Sequence, residues 1–149
     1  MTKTTFLILF LFTVLHVSCK PSSEKSNIDL IEDFDCFRNK FYSDSIFQLS
    51  RVLFPLPGAD SDVIYGDAKV EDQENEVFLI ENNQLFWKRN GWRFIETPLE
   101  NIEFVITREY EGSIVREKIR SKETDLVITL RFSLIKDQWM LTYYSHEWY

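Results

Sequence analysis

Sulfur and imidazole donors are scarce: the 149 residues hold two cysteines, Cys19 and Cys36, and two histidines, His16 and His146. Two of the four fall within the first nineteen residues, and the remaining pair is too few for a zinc site built from Cys and His. Glycine and proline number only four each. There is accordingly no glycine-rich phosphate loop and no Gly-x-Ser-x-Gly nucleophile elbow. Positive charge is also short, with 17 basic against 24 acidic side chains and a net charge of −7. No basic stripe is present to displace counterions from phosphates, which excludes nucleic acid as a partner. Nor is there an apolar run of the roughly 20 residues that a membrane-spanning helix needs. The longest, Phe6 to Val17, is 12 residues.

That short run has the position and length of the apolar region of an export signal, behind Lys3 in a polar start. Val17-Ser18-Cys19 resembles a lipobox, in which a small residue precedes a cysteine that is diacylglycerylated before cleavage. His16 departs from the aliphatic residue usual three places before the cysteine, a looseness familiar among Bacteroidota lipoproteins. The resemblance implies a signal peptide over residues 1–18 and lipidation, including palmitate-type acyl chains, at Cys19. Residues 19–27 then form a polar tether, KPSSEKSN after the cysteine, lacking apolar residues that could pack. Two or three acyl chains, at about 0.8 kcal/mol per buried methylene, would hold the protein on a bilayer. With Cys19 acylated, Cys36 has no cysteine left to pair with, and it reads as a small buried hydrophobe rather than a nucleophile.

What the chain has in quantity is aromatic residues, 15% of the total and 13 of them Phe, enough for residues 28–149 to fold as one domain. Leu30, Phe34, Phe37 and Phe41 recur at spacings of four, three and four and predict a helix, capped at Ser26 or Asn27 with Asp29, Glu32 and Asp33 at its positive end. Asp44 and its neighbouring serines open a second, short helix over Ile46 to Leu49. Arg51 to Leu56 reads as extended, because Pro55 and Pro57 forbid helix. Ala59 to Glu76 carries seven carboxylates without the spacing of a calcium loop and reads as a solvated acidic loop or helix face.

From Val77 onward the pattern is strand after strand: Val77–Ile80, Leu85–Lys88, then Asn90-Gly91 as a hairpin turn between Phe86-Trp87 and Trp92-Phe94. Ile102, Phe104 and Ile106 alternate, Gly112 turns the chain into Ile114–Ile119, and Leu126 to Leu134 alternates without a break. Lys136-Asp137 turns into a last strand from Trp139 to Glu147. Helices followed by an antiparallel sheet predict an α+β fold with the helices on one sheet face.

The segment from Phe34 to Leu56, with Asp44, Phe47-Gln48, Arg51 and Phe54-Pro55-Leu56 after its phenylalanines, resembles an uncharacterised family of Bacteroidota lipoproteins of nuclear transport factor two-like fold. That resemblance implies a cone, in which a strongly curved antiparallel sheet wraps N-terminal helices and leaves a pocket between them. Such pockets serve catalysis, ligand binding or plain association, so fold does not choose among these.

The candidate pocket residues follow from strand alternation. Tyr144, His146 and Trp148 share one face of the last strand; on a cone that face lines the cavity, and the alternative is that His146, near the chain end, is an exposed polar residue. Arg108 continues the face of Ile102, Phe104 and Ile106 and is expected either to point an unpaired donor fork into the same cavity or to snorkel at the sheet edge. Trp87 and Trp92 serve as core or cross-strand partners, or as a stacking surface. No catalytic set, metal site or cofactor is expected. The sequence thus leads to an envelope lipoprotein, anchored to the outer membrane with its domain on the periplasmic side. That domain is a non-catalytic module for a small ligand or another envelope protein, with a homodimer through the open sheet face as a further expectation. The alternative is a small pocket enzyme of isomerase or hydratase type using His146 as base.

Overall fold

The computed structural model describes residues 31–65, 78–82, 84–96 and 103–149. The export signal, Cys19, the tether, Leu30, Ile102 and the acidic residues from Asp67 to Glu76 lie outside them.

The first helix, α1 (Phe34–Ser43), begins later than its apolar spacing suggests. Its cap is Asp33, whose carboxylate accepts from the Cys36 amide at 2.8 Å. Glu32 is not in the helix. Its backbone N–H reaches the Asp137 carbonyl at 3.0 Å, while its carboxylate takes Arg51 in a two-point ion pair at 2.8 and 2.9 Å and the Trp139 amide at 2.8 Å. A carboxylate that satisfies a cation and a strand N–H together is worth more here than at a helix end. Asp44 then performs two tasks. Its N–H closes α1 on the Lys40 carbonyl, and its carboxylate caps α2 (Ser45–Ser50) by accepting from Ile46 and Phe47.

Among the described residues seven strands form one sheet: β1 (Leu56–Asp60), β2 (Phe78–Glu81), β3 (Gln84–Trp87), β4 (Phe104–Glu111), β5 (Ile114–Ser121), β6 (Leu126–Ile135) and β7 (Gln138–Trp148), in the spatial order β2-β3-β1-β7-β6-β5-β4. The antiparallel run from β4 to β7 matches the expected strands closely. Gly112 turns at φ 60°, and Lys136 and Asp137, both at positive φ, make the tight turn before β7. The fold is α+β, with α1 packed into the curved sheet.

Two features differ from the sequence reading. β1 occupies residues expected to lie partly in an acidic loop, and it pairs parallel to β7, Gly58 with Tyr144 and Asp60 with His146. Pro57 and Gly58 hide this strand from propensity. The second difference is at Asn90-Gly91, which makes a single 3₁₀ turn (Arg89–Gly91) rather than a hairpin. The hairpin partner of β3 is β2, turned at Asn82 with φ 50°, and Trp92 leaves the sheet altogether.

The core is aromatic. Phe132 on β6 meets Phe34, Phe37 and Phe41 of α1 at ring centroid distances of 5.5, 5.5 and 5.2 Å. Leu56, Leu130 and Leu141 around them are fully buried. Each such side chain contributes about 1.5–3 kcal/mol of transfer free energy. Exposed pairs such as Arg116–Glu111 contribute about 0–1 kcal/mol, so the phenylalanine cluster holds the helix to the sheet. One half of the cone is therefore filled.

Candidate functional site

The open half lies at the other end of β7, and a β-bulge puts it there. Phe132 pairs with Leu141, but Arg131 pairs with Tyr143, so Thr142 is an extra residue on β7. Side chains alternate with a period of two, and one inserted residue reverses which parity faces inward. Trp139 and Leu141 face the core before the bulge. After it, Tyr144 and His146 face inward beside Leu130 and Ile128.

These two residues line a cavity of about 330 Å³ together with Trp87, Trp92, Phe78 and Asp60, while Val63, Ile95 and Gly91 complete the walls and Arg93 stands exposed at the rim. Each wall has an identifiable origin. Trp87, at the end of β3, donates from its indole Nε1 to the Tyr144 carbonyl at 3.1 Å, reaching across β1 at Gly58. A Cβ built on Gly58 would sit 1.9 Å from that carbonyl oxygen and 2.5 Å from the indole nitrogen. Only glycine admits this crossing.

The opposite wall, Trp92 to Ile95, has no strand partner among the described residues, and its polar groups are held by one side chain. Gln48 of α2 is fully buried. Its Nε2 donates to the carbonyls of Phe41 and Ile95 at 3.0 and 2.9 Å, and its Oε1 accepts from the Ile95 amide at 2.9 Å and the Trp92 indole at 3.2 Å. All four hydrogen-bonding positions of the amide are used, and they tie the helices to the pocket wall. Gln48 and Asp60 are site-building residues that the sequence reading missed. A glutamine on the buried side of a helix was the available signal for the first, and nothing in the local sequence announces the second.

Asp60 ends β1 and starts the short helix α3 (Ser61–Tyr65) by accepting from the Asp62 amide at 2.9 Å through Oδ1. Its Oδ2 lies 4.0 Å from Nδ1 of His146. Burial, with the Asp60 carboxylate adding to it, pushes the Tyr144 phenol up to about 12, so the hydroxyl keeps its proton. No hydrogen bond from that hydroxyl is made among the described residues, which leaves it available in the cavity. Asp60, Asp62 and His146 also bring one donor atom each to within 4.8 Å of one another. The β1–β7 pairing thus brings Asp60 and Asp62 beside His146, where the spacing of acidic residues alone pointed only to solvent.

Of the expected pocket residues, Tyr144 and His146 line the cavity. Trp148 packs edge-on against the His146 ring, with centroids 5.7 Å apart and planes at 88°, and is itself exposed. Arg108 does not join them. Its face of β4 does point inward, as the alternation implies, but two strands separate β4 from β7, about 14 Å across the sheet at the usual strand spacing. There Arg108 Nε donates to Glu117 at 2.8 Å, so it is neither an unpaired fork nor a snorkelling edge residue. Burial would pull its pKa down, but the hydrogen bond and charge of Glu117 outweigh that and hold it above the ordinary value. Glu117 is fully buried and also accepts from Arg38 at 2.6 and 3.3 Å and from the Tyr42 hydroxyl at 2.5 Å. Burial and the Glu117 charge raise the Tyr42 phenol well above its usual range. This cluster under α1 is satisfied internally, and it fixes α1 to β4 and β5. Cys36 is half-buried rather than buried, beside a recess between α1 and α2, and is not a free thiol.

A family model matches residues 32–149, the domain from Glu32, which ties Arg51 to β7, through to the last strand. The same architecture occurs in a solved NTF2-like (nuclear transport factor two-like) protein from Bacteroides fragilis, with a TM-score of 0.51 at 18% identity. The chain has the NTF2-like fold and belongs to the family whose model it matches over residues 32–149. The match covers 83% of this chain and 50% of the solved one, so the chain spans about half the length of that NTF2-like relative. No curated protein matches it. The NTF2-like cone accounts for the curved sheet around α1. The aromatic cavity is built by this chain's own residues at β1, β3 and β7. No helix among the described residues is long and apolar enough to cross a membrane.

Proposed function

We propose that this protein is an envelope lipoprotein whose NTF2-like domain is a non-catalytic module that holds a small ligand between Trp87, Trp92, Tyr144 and His146. The observation that carries the binding reading is the cavity itself. One end of the cone is packed solid with phenylalanine, while the other keeps a 330 Å³ space lined by aromatic rings and a few polar groups, among them the unengaged Tyr144 hydroxyl. Pockets with mostly apolar walls and a few convergent polar groups are the usual form of a small-molecule site. Anchoring rests on the export signal and lipobox-like Val17-Ser18-Cys19, with the outer membrane, periplasmic side, as the place and other envelope proteins as neighbours the domain could engage. An acylated Cys19 would leave Cys36 a free thiol, which it is not in this structure.

The enzymatic alternative keeps one supporting observation, the His146–Asp60 pair beside a protonated phenol. It loses Arg108, which is committed to Glu117, as a group to orient a substrate, and keeps a nearby tyrosine, Tyr144, for that role.

Fractionation of the producing bacterium tests the anchor. The native chain is expected in the membrane fraction with a mature mass beginning at an acylated Cys19, and Cys19→Ala in the soluble fraction. A soluble native chain, or one whose intact mass shows a Cys19–Cys36 disulfide instead of acyl groups, would overturn it, since a cysteine sulfur in a thioether cannot also form a disulfide.

A further inference from the structure

The cavity walls specify a charge as well as a size. Tyr144 stands between two indoles: Trp87 at 5.6 Å and 63°, and Trp92 at 5.5 Å and 77°. Phe78 adds a further ring at 81° to Trp87. Rings set at large angles form the sides of a box rather than a stack, and aromatic π-systems attract cations.

At the edge of this box sits a carboxylate. The Asp60 side chain is only 15% exposed. Its Oδ1 is spent on the start of α3, and its Oδ2 accepts no hydrogen bond among the described residues, with His146 at 4.0 Å as the nearest basic group. A half-buried carboxylate oxygen beside apolar walls is costly unless a cation meets it. An anionic ligand would have to approach this same oxygen. A neutral polyol would call for more donors and acceptors than the cavity offers.

We infer that the pocket takes an organic cation, an alkylated ammonium group held within the box of Trp87, Trp92, Tyr144 and Phe78 with its charge facing Asp60. Arg93 at the rim suits an anionic group carried on the same molecule, as in a zwitterion. This assignment rests on the reading of the cavity as a ligand site.

The test is calorimetric titration of the mature chain with choline and, separately, with its neutral tert-butyl isostere, in which carbon replaces the charged nitrogen. Choline is expected to bind saturably and about tenfold or more tighter than the isostere. Asp60→Asn, which keeps a side-chain oxygen to cap α3, is expected to remove about tenfold of choline affinity and none of the isostere's; retained isostere binding shows that the box is still intact. Equal binding of the two would overturn the cation assignment while leaving the ligand site standing. Absence of choline binding would also overturn it. If Zn²⁺ binds in its place and is lost in both Asp62→Ala and His146→Ala, the carboxylate belongs to a metal site instead.

Discussion

Replacing Glu117 by alanine is expected to destabilise the domain by about 3–5 kcal/mol, the loss typical when one partner of a buried ion pair is removed. Glu117 is fully buried and is the common acceptor for Arg38, Arg108 and Tyr42. Its removal strands the Arg38 guanidinium, whose side chain is only 10% exposed, between α1 and the sheet with no counter-charge. Domains of this kind have about 5–15 kcal/mol of total stability, so the melting temperature should fall by on the order of 10–20 °C. Arg108→Ala should cost far less, about 1 kcal/mol, because Arg38 still neutralises Glu117 and Arg108 is partly solvated at 27% exposure. Thermal unfolding followed by circular dichroism gives both numbers. Equal effects of the two substitutions would mean that Glu117 is not the hub of the cluster.

The second large effect is at Gly58. Gly58→Ala places a methyl group against the Tyr144 carbonyl and the Trp87 indole, both closer than atoms can approach. Either β1 withdraws from β7 or the indole gives up its hydrogen bond and swings out. Overpacking a close contact costs about 1–3 kcal/mol, occasionally more, and the tight partner here is backbone, which places this case at about 3 kcal/mol. The pocket should suffer more than the fold, because the contact between β1 and β7 also sets Asp60 against His146. Trp87 fluorescence should shift to the red, and ligand affinity should fall, under conditions where the far-ultraviolet spectrum stays native. Unchanged stability and unchanged indole environment would show that the crossing is not tight.

The parts of this fold that were legible in the sequence are those where local pattern and tertiary demand agree. The alternation from Leu126 to Leu134, the Lys136-Asp137 turn and the phenylalanine stripe of α1 each stand in the structure where the pattern put them. Tyr144 and His146 line one cavity, but their inward direction depends on the bulge at Thr142, which no alternation rule announces.

The parts that were not legible are decided by distant partners. β1 exists because Gly58 permits a close parallel crossing, although Pro57-Gly58 is poor strand sequence. Trp92 abandons the Asn90-Gly91 hairpin because Gln48, forty-four residues earlier, offers its indole and the Ile95 backbone better partners than a second strand would. Glu117 sits between Val115 and Ile119 on an inward column. Its charge was hidden by that apolar alternation, and its partners Arg38 and Tyr42 lie four residues apart on α1. Asp60 was one carboxylate among seven until β7 came alongside.

The most direct test of the ligand site uses the chain's own indoles. In a nitrogen-15 proton correlation spectrum, each tryptophan Nε1–H gives a separate signal. Trp87 and Trp92 report on the cavity, whereas the Trp139 indole is tied to the Glu32 carbonyl in the filled half of the cone. Titration with a panel of small cationic, neutral and anionic compounds is expected to yield binders that shift Trp87 and Trp92 together and leave Trp139 in place. Binders that move Trp139 instead, or a panel in which no compound moves Trp87 and Trp92, would contradict the cavity as the functional site of this protein.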